Sequence, residues 1–220
     1  MGYGIAIRVR GDYALFTRPE MKVERVSYDV ITPSAARGLI EAIYWKPAIR
    51  WVIDRIHVLN EIAFTNIRRN EVSEKVSARE AQRRMNGARD PFYLDATKYR
   101  QQRAALVLKD VDYVIEAHFE MVPDQVGPDD TPAKHYNIAL RRLRKGQHYH
   151  APCLGTREFG ARVEPIEDDD VPTSALTGRR ELGYMLYDLD FSDPDDIKPV
   201  FFKATLQDGV LDLSGVDLVR

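Results

Sequence analysis

His118 is the residue best placed for chemistry in this sequence. It belongs to the run Val111–Val122, in which apolar side chains alternate with polar ones, including Glu116 and Glu120. This period of two predicts a strand whose polar face carries His118 between two carboxylates. Imidazole exchanges a proton near neutral pH, so a histidine here could act as a general acid or base, and the carboxylates could orient it. The competing interpretation is an ordinary surface histidine.

Basic residues are concentrated in the first two thirds of the chain. Residues 1–150 contain 25 Lys and Arg against 19 Asp and Glu, whereas residues 151–220 contain 7 against 15. This asymmetry favours a protein in which only one part of the surface meets a polyanion. The alternative is a chance distribution of solvated charges.

Two basic clusters are candidates for binding nucleic acid. Residues 65–103 hold 10 basic against 5 acidic side chains, with Tyr93 and Tyr99 among them. Guanidinium groups bind phosphate through a planar fork and tyrosine stacks on bases, although a solvated face with internal ion pairs would have a similar composition. The second cluster ends a predicted helix, where the dipole also favours cations. The candidate phosphate ligands are Arg50, Arg68, Arg69, Arg83, Arg84, Arg141, Arg142, Arg144 and Lys145.

The sequence gives little sign of a metal site, a disulfide or a membrane segment. Cys153 is the only cysteine, so no disulfide can form within the chain. His148, His150 and Cys153 could supply three zinc ligands, but a structural site needs a fourth. We therefore expect no metal and no other cofactor. No window is apolar enough to span a membrane and no secretory signal is present, so we expect a cytoplasmic protein.

The predicted elements alternate between strands and helices. In chain order they are a strand at Tyr3–Arg10, a helix capped by Ser34 and ended by Pro47, strands at Trp51–Leu59 and Val111–Val122, a helix from Thr131 to Arg144 stopped by Gly146, and a strand at Glu158–Val163. The order βαββαβ is that of an α+β, ferredoxin-like domain, the topology of RNA-recognition modules. A basic insertion at about residues 60–110 separates the second and third strands.

We expect the chain to divide near residue 166. Residues 1–166 would form the ferredoxin-like domain. Residues 167–220 would form a small antiparallel β domain, which begins at the acidic run Glu167–Asp170 and contains strands at Gly183–Asp190 and Val200–Leu206.

Five segments resemble one protein family. They are GDYALFTRPE at Gly11–Glu20, IYWKPAIRWVIDRIHVL at Ile43–Leu59, EAHFE at Glu116–Glu120, KHYNIALRRLRKG at Lys134–Gly146 and LGTREFGARV at Leu154–Val163. Together they resemble the CRISPR-associated protein family five, subtype d, of type I-C systems, within the RAMP superfamily. The resemblance implies a ferredoxin-like domain with a small C-terminal β domain. It also implies cleavage of precursor CRISPR RNA within its repeats and residence in the interference complex with other subunits.

The resemblance also implies roles for particular residues. His118 becomes the proton-transfer group, and a catalytic tyrosine is placed at Tyr44, whose competing role is a core aromatic on a helix. The family has a lysine directly before the histidine, where this chain has Ala117. Lys46 or Arg50 would then have to supply the positive charge. The expected products are a 5′-hydroxyl and a 2′,3′-cyclic phosphate, formed without a metal ion.

The segment GTREFG, which begins at Gly155 and ends at Gly160, resembles the glycine-containing loop that RAMP proteins lay against RNA. Glycines permit a close backbone approach, although any tight turn has this composition.

Two other functions stay open at this point. The first is a non-catalytic subunit that holds CRISPR RNA in the interference complex, which the replacement of the family lysine by Ala117 favours. The second is a general RNA- or DNA-binding protein with affinity for duplex DNA.

Overall fold

The computed structural model describes residues 3–21, 23–167 and 171–220. The strands and helices of the first half are β1 at Gly4–Ala14, β2 at Arg25–Val26, α1 at Pro33–Ile43, β3 at Ile49–Val58, β4 at Ala63–Val72 and α2 at Ala78–Met85. The second half contains β5 at Arg100–Met121, a 3₁₀ turn at Pro123–Gln125, α3 at Pro132–Arg144, β6 at Arg162–Ile166, β7 at Arg179–Asp190, β8 at Lys198–Gln207, β9 at Val210–Asp212 and β10 at Leu218–Val219.

One sheet joins all the strands of the described residues, in the order β10-β8-β9-β3-β5-β1-β6, with β2 and β4 also paired to β5 and β7 paired to β8. The pairs are antiparallel except for β2 with β5. A mostly antiparallel sheet with few helices is an α+β fold, so the α+β part of the fold prediction is confirmed.

Strand β5 is the centre of the sheet. Its first half pairs with β4 as far as Lys109, and its second half lies between β1 and β3. The alternation predicted for this second half is seen from Ile115 to Glu120, whereas the five residues Val111–Ile115 are all buried. Ile115, Ala117 and Phe119 are buried, whereas Glu116 and His118 are only partly covered. Side chains of a strand alternate between the two faces of its sheet, so the charged residues share the face opposite the apolar core.

The N-cap of helix α1 lies two residues before the predicted one. The cap is Thr32 and not Ser34, because the Thr32 hydroxyl accepts the backbone N–H of Ala35 at 3.2 Å. Pro33 occupies the first turn, where its missing N–H has no cost. The helix ends at Ile43, and Tyr44 is already extended with φ −149°. Tyr44 therefore starts the connection to β3 and is not part of the last helical turn.

Helix α3 follows its prediction closely. Thr131 caps it through the N–H of Lys134, and Gly146 with φ +60° follows its last turn. Its buried residues include Ala139 and Leu143, which join the apolar cluster of α1 and the apolar face of β5. The two helices therefore cover the face of β5 that does not carry His118.

The basic insertion has regular structure that the sequence did not predict. Strand β4 and the first half of β5 form a hairpin, and the connection between them carries α2. Ser77 caps α2 by accepting the N–H of Glu80, and none of the residues of this helix is buried. The helix is thus stabilised by capping and local ion pairs and not by packing.

The C-terminal segment joins the same sheet. Strand β9 pairs with β3 at Arg55–His57, and Phe202, Leu206 and Leu211 belong to the main apolar cluster. The division of the chain near residue 166 stays a prediction. Asp168–Asp170 of the acidic run lie outside the described residues.

Strand β6 begins at Arg162, four residues after the predicted start, because the backbone N–H of Leu154 bonds to the carbonyl of Phe159 and closes a loop there.

In the part of the chain that the structure describes, no helix has the length and apolar character needed to cross a membrane.

Candidate functional site

His118 lies near the end of β5, opposite Gly4 of β1 and Val52 of β3. Its side chain is 37% exposed, so the ring is accessible without being free in solvent. Within the described residues, the protein contacts its Nδ1 atom and leaves Nε2 without a hydrogen-bond partner. A histidine held at one nitrogen and open at the other can exchange a proton with a ligand.

Asp54 is the residue that contacts His118. Its two carboxylate oxygens both lie 2.9 Å from His118 Nδ1. The contact lies at a β-bulge, where β3 pairs Ile53 with Ala117 and then Arg55 with Glu116, leaving Asp54 without a partner on β5. Alternation from Val52 places Asp54 on the face that carries His118, and the extra residue keeps Arg55 on this face as well.

The two glutamates that were expected to orient His118 have other partners. Glu116 accepts from His57 Nε2 at 2.6 Å and from Arg55 at 3.3 Å. Glu120 accepts from Arg50 at 2.6 Å, and this hydrogen bond holds the pKa of Glu120 below its usual value. Neither carboxylate contacts the imidazole of His118, and the structure gives the orienting position to Asp54.

A cleft of about 700 Å³ is lined by Asp54 and by Ala117, the neighbour of His118 in β5. Its lining includes Asp54 and Glu116 of the sheet and Tyr136, Leu140 and Arg144 of α3. The cleft thus combines carboxylates and a guanidinium with an aromatic ring.

Tyr44 is buried, with 2% of its surface exposed. Its hydroxyl lies 2.7 Å from His135 Nδ1, its carbonyl accepts from Trp51 Nε1 at 2.8 Å, and the Arg142 guanidinium lies 5.3 Å from its ring centroid. Burial raises the pKa of Tyr44. The hydroxyl therefore stays protonated at neutral pH and acts as a hydrogen-bond donor.

His135 is the buried partner of Tyr44 and has 1% of its surface exposed. Burial lowers the pKa of His135, Asp130 opposes this effect, and the charges of Lys134 and Lys46 add to it. The neutral ring accepts a hydrogen bond from the Tyr44 hydroxyl at Nδ1. Its Nε2 lies 3.4 Å from an Asp130 oxygen but without the alignment of a hydrogen bond.

The structure does not bring Tyr44 and His118 together. Tyr44 packs with His135, whose ring lies 6.2 Å from that of Phe119, on the face of β5 that the helices cover. His118 follows Ala117 and precedes Phe119, so it points to the other face. Lys46 is exposed and its charge acts on His135, which places it on the Tyr44 side.

Ala117 is 1% exposed and lies opposite Ile5 and Ile53. It belongs to the apolar face, so a longer side chain there would project towards the core and away from His118.

Many of the predicted phosphate ligands are already engaged within the protein. Arg142 donates to the Ile43 carbonyl at 2.9 Å, and the side chains that pair with carboxylates are Arg50, Arg69, Arg83, Arg84 and Arg144. Three of the predicted ligands are exposed and have no ion pair among the described residues, namely Arg68, Arg141 and Lys145. They are the predicted ligands most available to an added phosphate.

The two glycines of the GTREFG segment differ in their surroundings. Gly155 has φ +88°, and a Cβ atom there would lie 2.0 Å from the Leu15 carbonyl oxygen. Close packing against the end of β1 therefore accounts for this glycine without RNA. Gly160 has open space around its α-carbon and forms an isolated bridge with Cys153.

No group of three or more His, Cys, Asp or Glu side chains is arranged to hold a metal ion in the ranges that the structure covers. His148, His150 and Cys153 lie on the connection between α3 and β6. The backbone of this connection is held by the N–H groups of Tyr149 and His150, which donate to the Ala42 carbonyl.

Asp54 and His135 were not predicted as site residues. Asp54 could have been found, since Asp54 and Arg55 are two polar residues in succession where the alternation of β3 requires one. This break is a sequence signal of a bulge. His135 has no comparable signal, because it lies on a helix 91 residues from its partner Tyr44.

Comparison with known proteins gives a consistent result. The sequence model of the family described as CRISPR-associated protein (Cas_Cas5), subtype Cas5d, matches residues 4–213. The chain is 50% identical to the CRISPR pre-crRNA endoribonuclease Cas5d of Mannheimia succiniciproducens, over 97% of this chain and 96% of that protein. It is 41% identical to the protein of the same name from Thermus thermophilus, over 95% of this chain and 90% of that protein.

A solved structure titled as a CRISPR-associated protein has a similar fold. It is 28% identical to this chain, the TM-score is 0.71, and the match covers 99% of this chain and 96% of that one.

Proposed function

Because the chain belongs to the Cas5d family of CRISPR-associated proteins, we propose that it is an endoribonuclease that cuts precursor CRISPR RNA within its repeats. The observation that carries this proposal is the imidazole of His118, which is held at Nδ1 by Asp54, a residue of the cleft, and has no partner at Nε2 among the described residues. The similarity to two proteins named as pre-crRNA endoribonucleases supports the choice of substrate.

The proposed reaction is an attack of a ribose 2′-hydroxyl on the neighbouring phosphorus. The bond from the 2′-oxygen to phosphorus forms while the bond to the 5′-oxygen breaks, and the proton lost by the 2′-hydroxyl is balanced by one gained by the 5′-oxygen. His118 Nε2 would take up or deliver one of these protons. The products are a 2′,3′-cyclic phosphate and a 5′-hydroxyl, and the reaction requires no metal ion.

Tyr44 and Lys46 are proposed to stabilise the anionic phosphorane. A protonated tyrosine hydroxyl and an ammonium group are suitable donors to such an anion. The Tyr44 hydroxyl would have to exchange His135 for a phosphate oxygen, and the chain connecting α1 with β3 would have to move its side chain towards the cleft. Lys46 is already exposed.

The proposed RNA path uses the exposed cations first. Arg68, Arg141 and Lys145 are available at once, whereas the paired arginines of both clusters would exchange a carboxylate for a phosphate. Cations that neutralise RNA phosphates release counterions, so the contribution of these contacts to the RNA affinity should fall as the salt concentration rises. The acidic residues 151–220 are proposed to face protein subunits of the interference complex. Binding of duplex DNA stays a prediction.

We also propose that β1, α1, β3, β5, α3 and β6 form a ferredoxin-like unit. The order β6-β1-β5-β3 supports this, since the fourth, first, third and second strands of a βαββαβ unit are neighbours in that order. Residues 1–166 would be that domain, and residues 167–220 the smaller one.

A non-catalytic RNA-holding subunit is the second candidate. The burial of Ala117 at the position of the family lysine, and the placement of Tyr44 and His118 on opposite faces, favour it.

The deciding experiment is incubation of the purified protein with its cognate repeat RNA in excess EDTA. We expect a single cut with a cyclic phosphate end, loss of cutting in His118→Ala, and RNA binding by that variant equal to the wild type. A requirement for added magnesium would reject the mechanism. Binding without any cutting would favour the second candidate.

A further inference from the structure

Asp54 and His118 form a pair that is fixed from both sides of β3. On one side, β5 pairs Ile53 and Arg55 but not Asp54. On the other side, the Asp54 carbonyl accepts the N–H of Leu213 at 2.9 Å, and Arg55 pairs with Asp212 of β9. The bulge is therefore held by backbone hydrogen bonds of the C-terminal segment, and the Asp54 carboxylate has a defined position.

The contact determines which nitrogen of His118 carries the proton. A carboxylate only accepts hydrogen bonds, so Asp54 requires a proton on Nδ1. In the neutral ring Nε2 then has a free lone pair. This is the nitrogen that the described part of the protein leaves without a partner, so the pair offers a base to a bound ligand.

Among the described residues, the two glutamates that flank His118 on β5 are not free to replace Asp54. Glu116 is engaged by His57 and Arg55, and Glu120 is engaged by Arg50. Both glutamates lie two residues from His118 on the same strand and contribute charge but no contact. Asp54, in contrast, is 42% exposed and has no cationic partner other than His118 within the described residues.

We propose that Asp54 is a positioning residue that fixes the tautomer and orientation of His118 for proton transfer at Nε2. The inference rests on the proposed function, because it assigns Asp54 a role in the reaction of His118. It extends that function by linking the site to β9, since the backbone of the C-terminal segment bonds to the backbone of Asp54 at the bulge.

The test compares Asp54→Ala with Glu120→Gln, a matched variant that removes a carboxylate from the same face without removing a contact to His118. His118→Ala is measured in parallel. We expect Asp54→Ala to lower the single-turnover cutting rate at saturating protein by roughly 10- to 100-fold, as part of the roughly 10²- to 10⁴-fold that general acid–base catalysis supplies. Its affinity for RNA should not fall, because the variant removes a negative charge that repels phosphate. Glu120→Gln should cut like the wild type.

A spectroscopic readout separates positioning from general damage. Long-range ¹H–¹⁵N spectra of the histidine rings, with His118→Ala used for assignment, should show the neutral His118 ring protonated at Nδ1 in the wild type and in Glu120→Gln. In Asp54→Ala the proton should shift towards Nε2. If Asp54→Ala does not fold, Asp54→Asn keeps the size of the side chain and tests the same rate.

The outcomes distinguish the inference from the proposed function. A wild-type cutting rate in Asp54→Ala, with an inactive His118→Ala, would overturn the positioning role and leave the nuclease function intact. A wild-type rate in His118→Ala would overturn the proposed site and the inference with it. An unchanged ring tautomer in Asp54→Ala would also overturn the inference.

Discussion

Replacing Tyr44 by phenylalanine should destabilise the protein even before its role in cutting is considered. The substitution keeps the buried ring, which is 2% exposed, and removes only the hydroxyl that bonds to His135 Nδ1 at 2.7 Å. His135 is 1% exposed, and its Nε2 has no hydrogen bond among the described residues, so the variant leaves both ring nitrogens unsatisfied.

The magnitude follows from the cost of a buried polar atom without a partner, about 1–3 kcal/mol. For a chain of this size, 1 kcal/mol lowers the melting temperature by roughly 2–4 °C, so a decrease of roughly 2–12 °C is expected. Chemical denaturation gives the free energy of unfolding, and a thermal scan gives the melting temperature.

A double-mutant cycle with His135→Leu isolates the pair. Each single variant leaves one partner without its hydrogen bond, whereas the double variant removes both polar groups. The double variant should therefore lose less stability than the two single losses added together, by about 0.5–3 kcal/mol. A Tyr44→Phe protein as stable as the wild type, or additive losses, would refute the view that the Tyr44 hydroxyl is bound by His135. Cutting rates of Tyr44→Phe, expected to be strongly reduced, should be measured well below its melting temperature.

Three further outcomes are expected. Burial lowers the pKa of His135 in the folded state, so the unfolded chain binds more protons below about pH 6.5. Stability should therefore fall as the pH decreases from there. Denaturation curves of His135→Gln, measured across the same pH range, should lack this loss of stability. Ala117→Lys should destabilise the fold without raising the cutting rate, because the lysine side chain would project into the apolar face beside Ile5 and Ile53. A stable variant that cuts faster would contradict this. Arg141→Ala should lower the slope of RNA affinity against salt by about one, whereas Arg83→Ala, which removes a partner of a carboxylate, should change it less; equal effects would contradict the proposed path.

The sequence alone determined the elements that depend on local chemistry. The alternation of β5 predicted that Glu116 and His118 would lie opposite Ala117 and Phe119, because neighbouring side chains of a strand always point to opposite faces. The limits of α3 were predicted from Thr131 and Gly146. Thr131 accepts a backbone N–H of the first turn, and Gly146 ends the helix, so both act within a few residues of their own positions. The α+β class followed from the order of these elements.

Tertiary structure alone decided which groups meet. Asp54 meets His118 at a bulge that β5 borders on one side and β9 on the other, more than 150 residues along the chain from Asp54 to Leu213. The burial of Tyr44 likewise depends on His135 from a distant helix. Periodicity and capping specify the faces of an element, but hydrogen bonds between distant elements fix the register, and the register determines the partners of each side chain.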